Sequence, residues 1–254
     1  MKLSYNHLLS SRFEIFNTPA LYISISAVLA LCASGRSNGL VLESGAGVTH
    51  SVPIYEGYAL PHAITRLDLG GEDLTRYLAK LLTERGFSFI GYSEMEIVKN
   101  IKEKFCFVKS EDNLADDEMI NYQMPNGTRI TLGSERHKCT EVMFDPSLIG
   151  FETAGIHQQI YQSISKSDID LQPVLYSNIL LSGENTFFKG FSARLKKELE
   201  KLCNETIIKI IEPIKYAVWL GGSILASLES FQENWKTKEE YDETGPSILV
   251  RPCF

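Results

Sequence analysis

Apolar and polar positions along the chain fall into blocks that predict helices and strands in alternation. Ala20 to Ala33 is an apolar run interrupted by Tyr22, Ser24 and Ser26. Asn17-Thr18-Pro19 precedes it and Gly35 follows, which predicts a helix from Pro19 to Ser34, capped near Asn17 or Thr18 and closed at Gly35. Leu40-Val41-Leu42 and the run from Val48 flank Glu43-Ser44-Gly45-Ala46-Gly47, the pattern of a hairpin. A third strand is predicted around Ala63 to Leu69. Leu74, Leu78, Leu81 and Leu82 repeat at helical spacing from Asp73 to Arg85, and Gly86 stops them. Ser93-Glu94-Met95-Glu96 reads as a capping box opening a helix through Ile97 and Ile101 toward Lys104.

The second half continues in the same way. Ser110 to Glu118 is an acidic loop, and Asn126-Gly127 between alternating runs predicts a second hairpin. Helices are predicted over Thr153 to Ser165, over the stripe Phe191, Leu195, Leu199 and Leu202, and over the apolar Gly221 to Phe231. Asn178 to Leu181 and Ile207 to Ile211 read as buried strands, the former running into a polar turn at Ser182-Gly183. Residues 1–12 carry no pattern and read as a lead-in. Strands alternating with helices and interrupted by two hairpins fit an α/β fold with mixed sheets.

Composition narrows the class. The chain has 254 residues, of which 44% are hydrophobic and 22% charged, as in an ordinary soluble globular protein. Its net charge of −7 leaves no basic stripe for a phosphate backbone, which argues against nucleic acid as a partner. Five cysteines, an odd number without a C-x-x-C pair, predict reduced thiols in a cytosolic setting. Cys32 in the apolar run and Cys106 between Phe105 and Phe107 read as core thiols. The run from Ala20 is too short to span a bilayer, and Glu14 with Asn17-Thr18-Pro19 ahead of it argues against a signal peptide. No membrane insertion is predicted.

Candidate chemistry centres on the first hairpin. A tip with two glycines and a serine can bring backbone N–H groups close to an oxyanion, although the same tip also reads as a plain turn. It has no lysine and no helix directly after it, so it is not a P-loop of the GxxxxGK[ST] kind. The chain lacks HExxH, G-x-S-x-G and any Cys/His set with metal spacing. His137-Lys138-Cys139 reads as incidental surface residues, and His157 beside Gln158 and Gln159 as a non-functional position on a helix face.

Longer stretches resemble actin. They include Phe16-Asn17-Thr18-Pro19-Ala20, Ala33-Ser34-Gly35-Arg36, Glu43 to His62 with Val52-Pro53-Ile54-Tyr55-Glu56-Gly57-Tyr58, and Leu82-Thr83-Glu84-Arg85-Gly86. Ile101-Lys102-Glu103-Lys104, Gly221-Gly222-Ser223-Ile224-Leu225-Ala226-Ser227-Leu228 and Cys253-Phe254 are similar too. The resemblance runs from about Phe13 to Phe254 and implies the actin/sugar-kinase/Hsp70-like α/β fold, two halves around a nucleotide cleft. It implies an incomplete version, in which the first phosphate loop, most of the first sheet and the small DNase-loop subdomain have no counterpart. On this reading residues 1–33 and 217–254 are a remnant of the outer large subdomain. Residues 34–69 and 150–216 are the inner one, and 70–149 the insert subdomain. A sugar kinase of the same superfold fits the actin-specific stretches less well.

The resemblance also assigns a nucleotide site. Glu43, Ser44, Gly45, Gly47 and Val48 stand at the second phosphate hairpin, with Glu43 in place of the family's Asp and Ala46 in place of a second Asp. Glu43 is then the one indirect, weak contact left for a magnesium ion, which favours a water-rich shell. Ser26 stands where the family's glutamine positions the attacking water, and His50 near the γ-phosphate, where a structural histidine is the alternative reading. Lys102 and Glu103 match the ribose and adenine side, or else form a solvated charge run on a helix face, and Lys99 stands in place of an arginine on the same face, keeping its charge but not its planar fork. Gly183 and Glu184 belong to a turn in which Glu184 adds bulk and negative charge, and Lys215 and Tyr216 are placed to pack on an adenine. ATP or ADP with magnesium is therefore expected to bind weakly, and hydrolysis to be poor.

Partner positions follow from the same resemblance. Tyr22, Gly35, Ser37, Glu56, Tyr58, Ile224, Leu225 and Leu228 match a cleft that takes actin-like subunits or actin-binding proteins; for the last three, ordinary core is the alternative. Cys32 and Asn234 differ from the residues usual there. Two functions result. One is a cytoplasmic, cytoskeletal actin-like protein acting through protein contacts. The alternative is an ATP-hydrolysing, filament-forming actin whose N-terminal part is missing from this chain.

Overall fold

The computed structural model describes residues 8–89, 91–110, 118–124, 127–203 and 206–249. Its elements in chain order begin with β1 (Ala20–Leu21), α1 (Ser26–Ala33), β2 (Gly39–Ser44), β3 (Thr49–Tyr55), β4 (Tyr58–Ala59) and β5 (Thr65–Leu67). Then come α2 (Gly71–Glu84), α3 (Tyr92–Phe105), β6 (Ile120–Gln123), β7 (Arg129–Leu132), α4 (Glu135–Glu141), α5 (Ile156–Ser165) and α6 (Gln172–Tyr176). The chain closes with β8 (Ile179–Ser182), α7 (Phe191–Leu202), β9 (Ile210–Ile211), α8 (Ala217–Ser227), β10 (Lys236–Thr237) and α9 (Lys238–Thr244).

The main sheet runs β4-β3-β2-β8-β9, with β5 added on β3. It is mixed, as the pattern predicts: β2 is antiparallel to β3 and parallel to β8. Side chains alternate across a strand, so β2 feeds two cores. Leu40 and Leu42 pack with Ile160 and Ile164 of α5 and Leu195 and Leu199 of α7. Val41, with Val52, Ile54 and Leu180, packs instead against Ala27, Ala30 and Leu31 of α1 and Ala217 of α8. A third core joins Leu78 and Leu82 of α2 to Val98 and Ile101 of α3, Ile130 and Leu132 of β7, and Cys139 of α4. Because Leu74 belongs to the first core, α2 links the main sheet to this third cluster. An ion pair between Arg85 and the buried Glu135 adds a second tie from the end of α2 to α4.

Several boundaries differ from expectation for local reasons. The apolar run after Pro19 opens as β1, paired with β10, and turns helical only at Ser26. Asn17 takes a left-handed φ of 49° instead of capping a helix. On α3 the cap is Gly91, whose N–H donates to Glu94 at 2.9 Å, so the box lies two residues before the one expected at Ser93 and Glu96. The helix expected from Thr153 starts at Ile156, and the strand expected from Ile207 is confined to Ile210–Ile211. The helix expected from Gly221 to Phe231 starts earlier, at Ala217, ends at Ser227, and gives way to a 3-10 stretch over Glu229–Asn234. The lead-in is structured from residue 8, because Leu9 and Phe13 are fully buried against Tyr241. Helices α4 and α6 were not anticipated. The acidic loop from 111 to 117, Asn126 of the second hairpin and Cys253-Phe254 lie outside the described residues. Strands β6 and β7 do pair antiparallel around that hairpin. Among the described residues no helix is long and apolar enough to cross a membrane.

Helices α1 and α8 meet backbone to backbone. A Cβ built on Gly221 would lie 1.8 Å from the Leu29 carbonyl oxygen, so only glycine fits. Gly221→Ala is therefore expected to cost about 2 kcal/mol by overpacking, read as a lower urea midpoint at unchanged slope. Gly222→Ala is the control, since its methyl would meet Leu29 Cδ1 at an ordinary 3.7 Å and helix propensity favours alanine. Equal losses from the two variants would rule out the close approach as the cause.

Candidate functional site

The β2–β3 register sets Ser44 opposite Thr49 and Glu43 opposite His50, with Ser182 of β8 beside Glu43 on its other edge. Ser44 Oγ and Thr49 Oγ1 lie 2.8 Å apart, and the Thr49 hydroxyl donates to the Leu69 carbonyl at 2.8 Å. Thr49 has a single hydroxyl proton, so Ser44 is the donor between the two. Asn185 Nδ2 then donates to Ser44 Oγ at 3.1 Å and to the Gly45 carbonyl at 2.7 Å. The proton order is thereby fixed along the whole base of the hairpin.

The tip is held from outside. The N–H groups of Gly71 and Glu72, at the start of α2, donate to the carbonyls of Gly45 and Ala46 at 2.9 and 2.8 Å. Lys102 Nζ donates to the Gly71 carbonyl at 2.7 Å. With its carbonyls so engaged, the tip leaves the N–H groups of Ala46, Gly47 and Val48 without an acceptor among the described residues. Consecutive free N–H groups of this kind favour an anion. Gly183, at a left-handed φ of 84°, lets the turn after β8 press on the hairpin; a Cβ there would lie 2.2 Å from the Ser44 carbonyl oxygen.

Beside the tip lies a cavity of about 1070 Å³. Gly45 and Ala46 line it together with Gly71, Glu72, Thr75 and Arg76 of α2. From α3 and just beyond come Tyr92, Met95, Glu96, Lys99, Lys102, Glu103, Lys104 and Cys106. Glu184, Asn185, Phe187, Phe188, Lys189 and Lys215 complete the wall. Its charged lining counts six cations against four carboxylates, a positive bias in a chain of net charge −7.

Of the residues singled out by sequence, Gly45, Lys99, Lys102, Glu103, Glu184 and Lys215 share this cavity. Glu43, Ser44, Gly47, Val48, Gly183, Ser26, His50 and Tyr216 are not among its lining residues. Lys102 is 5% exposed, so the solvated-run reading fails for it while Glu103 stays exposed, and burial lowers the Lys102 pKa. Lys99 stays in solvent near Glu96 at 3.9 Å. The Tyr216 ring lies under Lys215 Nζ at 5.1 Å and faces solvent, at a φ of 60°. Ser26 Oγ donates to Glu43 Oε2 at 2.6 Å, a contact that sequence spacing did not suggest. Half-buried His50 has its pKa lowered, first by burial and then by the Arg66 charge. Asn185, Phe187 and Phe188 are further cavity residues that the sequence reading did not single out. Cys139, expected at the surface, is fully buried, and Cys32, expected in the core, is half-buried. No group of three or more His, Cys, Asp or Glu able to hold a metal ion occurs among the described residues.

The second set of sequence candidates lies along α8 and its surroundings. Ile224 and Leu228 are 44% and 45% exposed, so the core reading fails for them, and Leu225 is half-buried. Trp219 of the same helix is 72% exposed and was not anticipated. Tyr22 stands edge-on to Phe231 with centroids 4.7 Å apart, and Tyr58 is exposed. Gly35 and Glu56 both take left-handed φ, and the Glu56 N–H donates to Asn38 Oδ1 at 2.5 Å. In comparisons with known proteins, a family model described as Actin matches residues 5–254.

Two outcomes test this geometry. Asn185→Ala removes the donor to the Ser44 oxygen and the Gly45 carbonyl, each of which keeps its bond to Thr49 or Gly71, and is expected to cost about 0.5–1.5 kcal/mol per lost bond in chemical unfolding. For His50 the folded pKa lies below the ordinary 6.5, so its contribution to stability is present above pH 6.5 and is lost as pH falls through the lowered value. His157 shifts in the same direction. Thermal melts from neutral to acid pH should fall for the wild type, fall less for His50→Gln, and least for the double variant with His157→Gln.

Proposed function

The chain belongs to the actin family, and on that premise we propose an actin-like cytoskeletal protein of the cytoplasm that works through protein contacts and holds ATP or ADP only weakly. The observation that carries this reading is the 2.6 Å hydrogen bond from Ser26 to Glu43. An outer-sphere magnesium site needs carboxylate oxygens free to hold water. One oxygen of Glu43 already accepts from Ser26, and Ala46 offers none. With one carboxylate where the family has two, and one of its oxygens shared with Ser26, this donor set fits a resident magnesium ion poorly.

The Ser26 hydroxyl proton is committed to Glu43, and its side chain is too short to orient a water against a distant phosphate. Losing a single transition-state contact of that kind typically lowers a rate about a hundredfold or more. Against this, the free N–H groups of Ala46, Gly47 and Val48 and the cationic bias of the cavity still favour an anion. Glu184 on the rim works the other way. Weak nucleotide binding without efficient hydrolysis is the balance of these terms.

The contact surface in this reading is the apolar face of α8, where Trp219, Leu220, Ile224 and Leu228 stand exposed. Contiguous apolar surface of this kind marks an interaction site, here for actin-like subunits or actin-binding proteins. Calorimetric titration with ATP should give the same weak binding in magnesium and in chelator, with no phosphate released. Tight, magnesium-dependent binding with turnover would overturn the reading. Leu228→Asp with Ile224→Asp is expected to abolish self-association or capture by actin in sedimentation while leaving the thermal melt unchanged.

A further inference from the structure

Cys106 and Cys139 come from separate elements, one just past the end of α3 and the other in α4, yet their sulfurs lie 3.4 Å apart. Cys139 is fully buried, whereas Cys106 is 7% exposed and lines the cavity. Lys102, one turn before Cys106, brings a buried ammonium into the electrostatic neighbourhood of both sulfurs. The thiolate is the form that reacts with oxidants. Cys139 itself stays a thiol at neutral pH, because its hydrogen bond to Cys106 and then its burial raise its pKa.

We infer that Cys106 and Cys139 form an oxidation site that a peroxide reaches through the cavity and converts to an internal disulfide. The Cys106 sulfur attacks one oxygen of hydrogen peroxide and the O–O bond breaks. The leaving hydroxide takes up a proton to become water, and Cys106 becomes a sulfenic acid. The Cys139 sulfur then attacks the Cys106 sulfur, the S–O bond breaks, and the second hydroxide leaves with the Cys139 thiol proton as water. Two sulfurs give up two electrons in all, and peroxide is reduced to two waters. Closing the bond needs an approach of about 1.4 Å, to the usual S–S length of about 2.0 Å. Cys106 is the C-cap of its helix, its N–H donating to the Lys102 carbonyl at 3.1 Å and its backbone extended, so the side chain leaves the helix end toward Cys139. The inference is independent of whether the cavity takes a nucleotide.

The test is exposure of the full chain to hydrogen peroxide, then alkylation, digestion without reductant and mass spectrometry. The expected product is a peptide pair linked through Cys106 and Cys139, with both lost from the alkylated fraction and both recovered by dithiothreitol. In Cys139→Ser the linked pair should be absent and Cys106 should be captured by dimedone as a sulfenic acid. In Cys106→Ser, Cys139 should remain reduced. The inference is overturned if the half-buried Cys32 and Cys203 oxidise while the pair stays alkylatable, or if Cys139 oxidises as readily without Cys106.

Discussion

A turn carrying two glycines has almost no side chain with which to hold its own shape, and the tip of the β2–β3 hairpin depends on its neighbours for it. The first N–H groups of α2 need acceptors, as the first turn of any helix does. The carbonyls of Gly45 and Ala46 supply them. Asn185 closes the other side through Ser44 and Gly45. Each such bond contributes only about 0.5–1.5 kcal/mol net, but together they select one geometry for a segment that alone would sample many.

The same arrangement explains a buried lysine. Helix α3 must lie on α2 to cover Leu78 and Leu82, and that packing carries Lys102 under the start of α2. There its ammonium is bonded to the Gly71 carbonyl, which compensates part of the desolvation that lowers its pKa. The lysine thus sits between the hairpin support and the cavity wall. It shows how one core contact between helices fixes the electrostatics of a surface several residues away.

Much of this fold was legible in the sequence. The two hairpins, the mixed sheet and the helices with a clear apolar stripe, such as α2 and α7, followed from periodicity and turn residues. Elements whose existence depends on distant partners were not legible. The apolar run after Pro19 has helical composition, but pairing with Lys236–Thr237 makes its first residues a strand, and no local rule reveals that partner. The helix around Trp219 is apolar on all sides, so no periodicity separates its packed face from its exposed one. At the candidate site, the resemblance to actin pointed to Gly45, Lys99, Lys102, Glu103, Glu184 and Lys215, which share the cavity. It did not reveal that Ser26 spans to Glu43 or that Asn185 organises the hairpin, because both are contacts between segments far apart in the chain.

The meeting of α1 and α8 has a mechanical consequence. Gly221 rests on the backbone of Leu29, one turn from Ser26, and Ser26 grips Glu43 through a single hydroxyl. With no side chain between the two backbones, α1 and α8 have no room to slide past each other at this crossing, and Trp219 keeps a fixed station relative to the helix that carries Ser26.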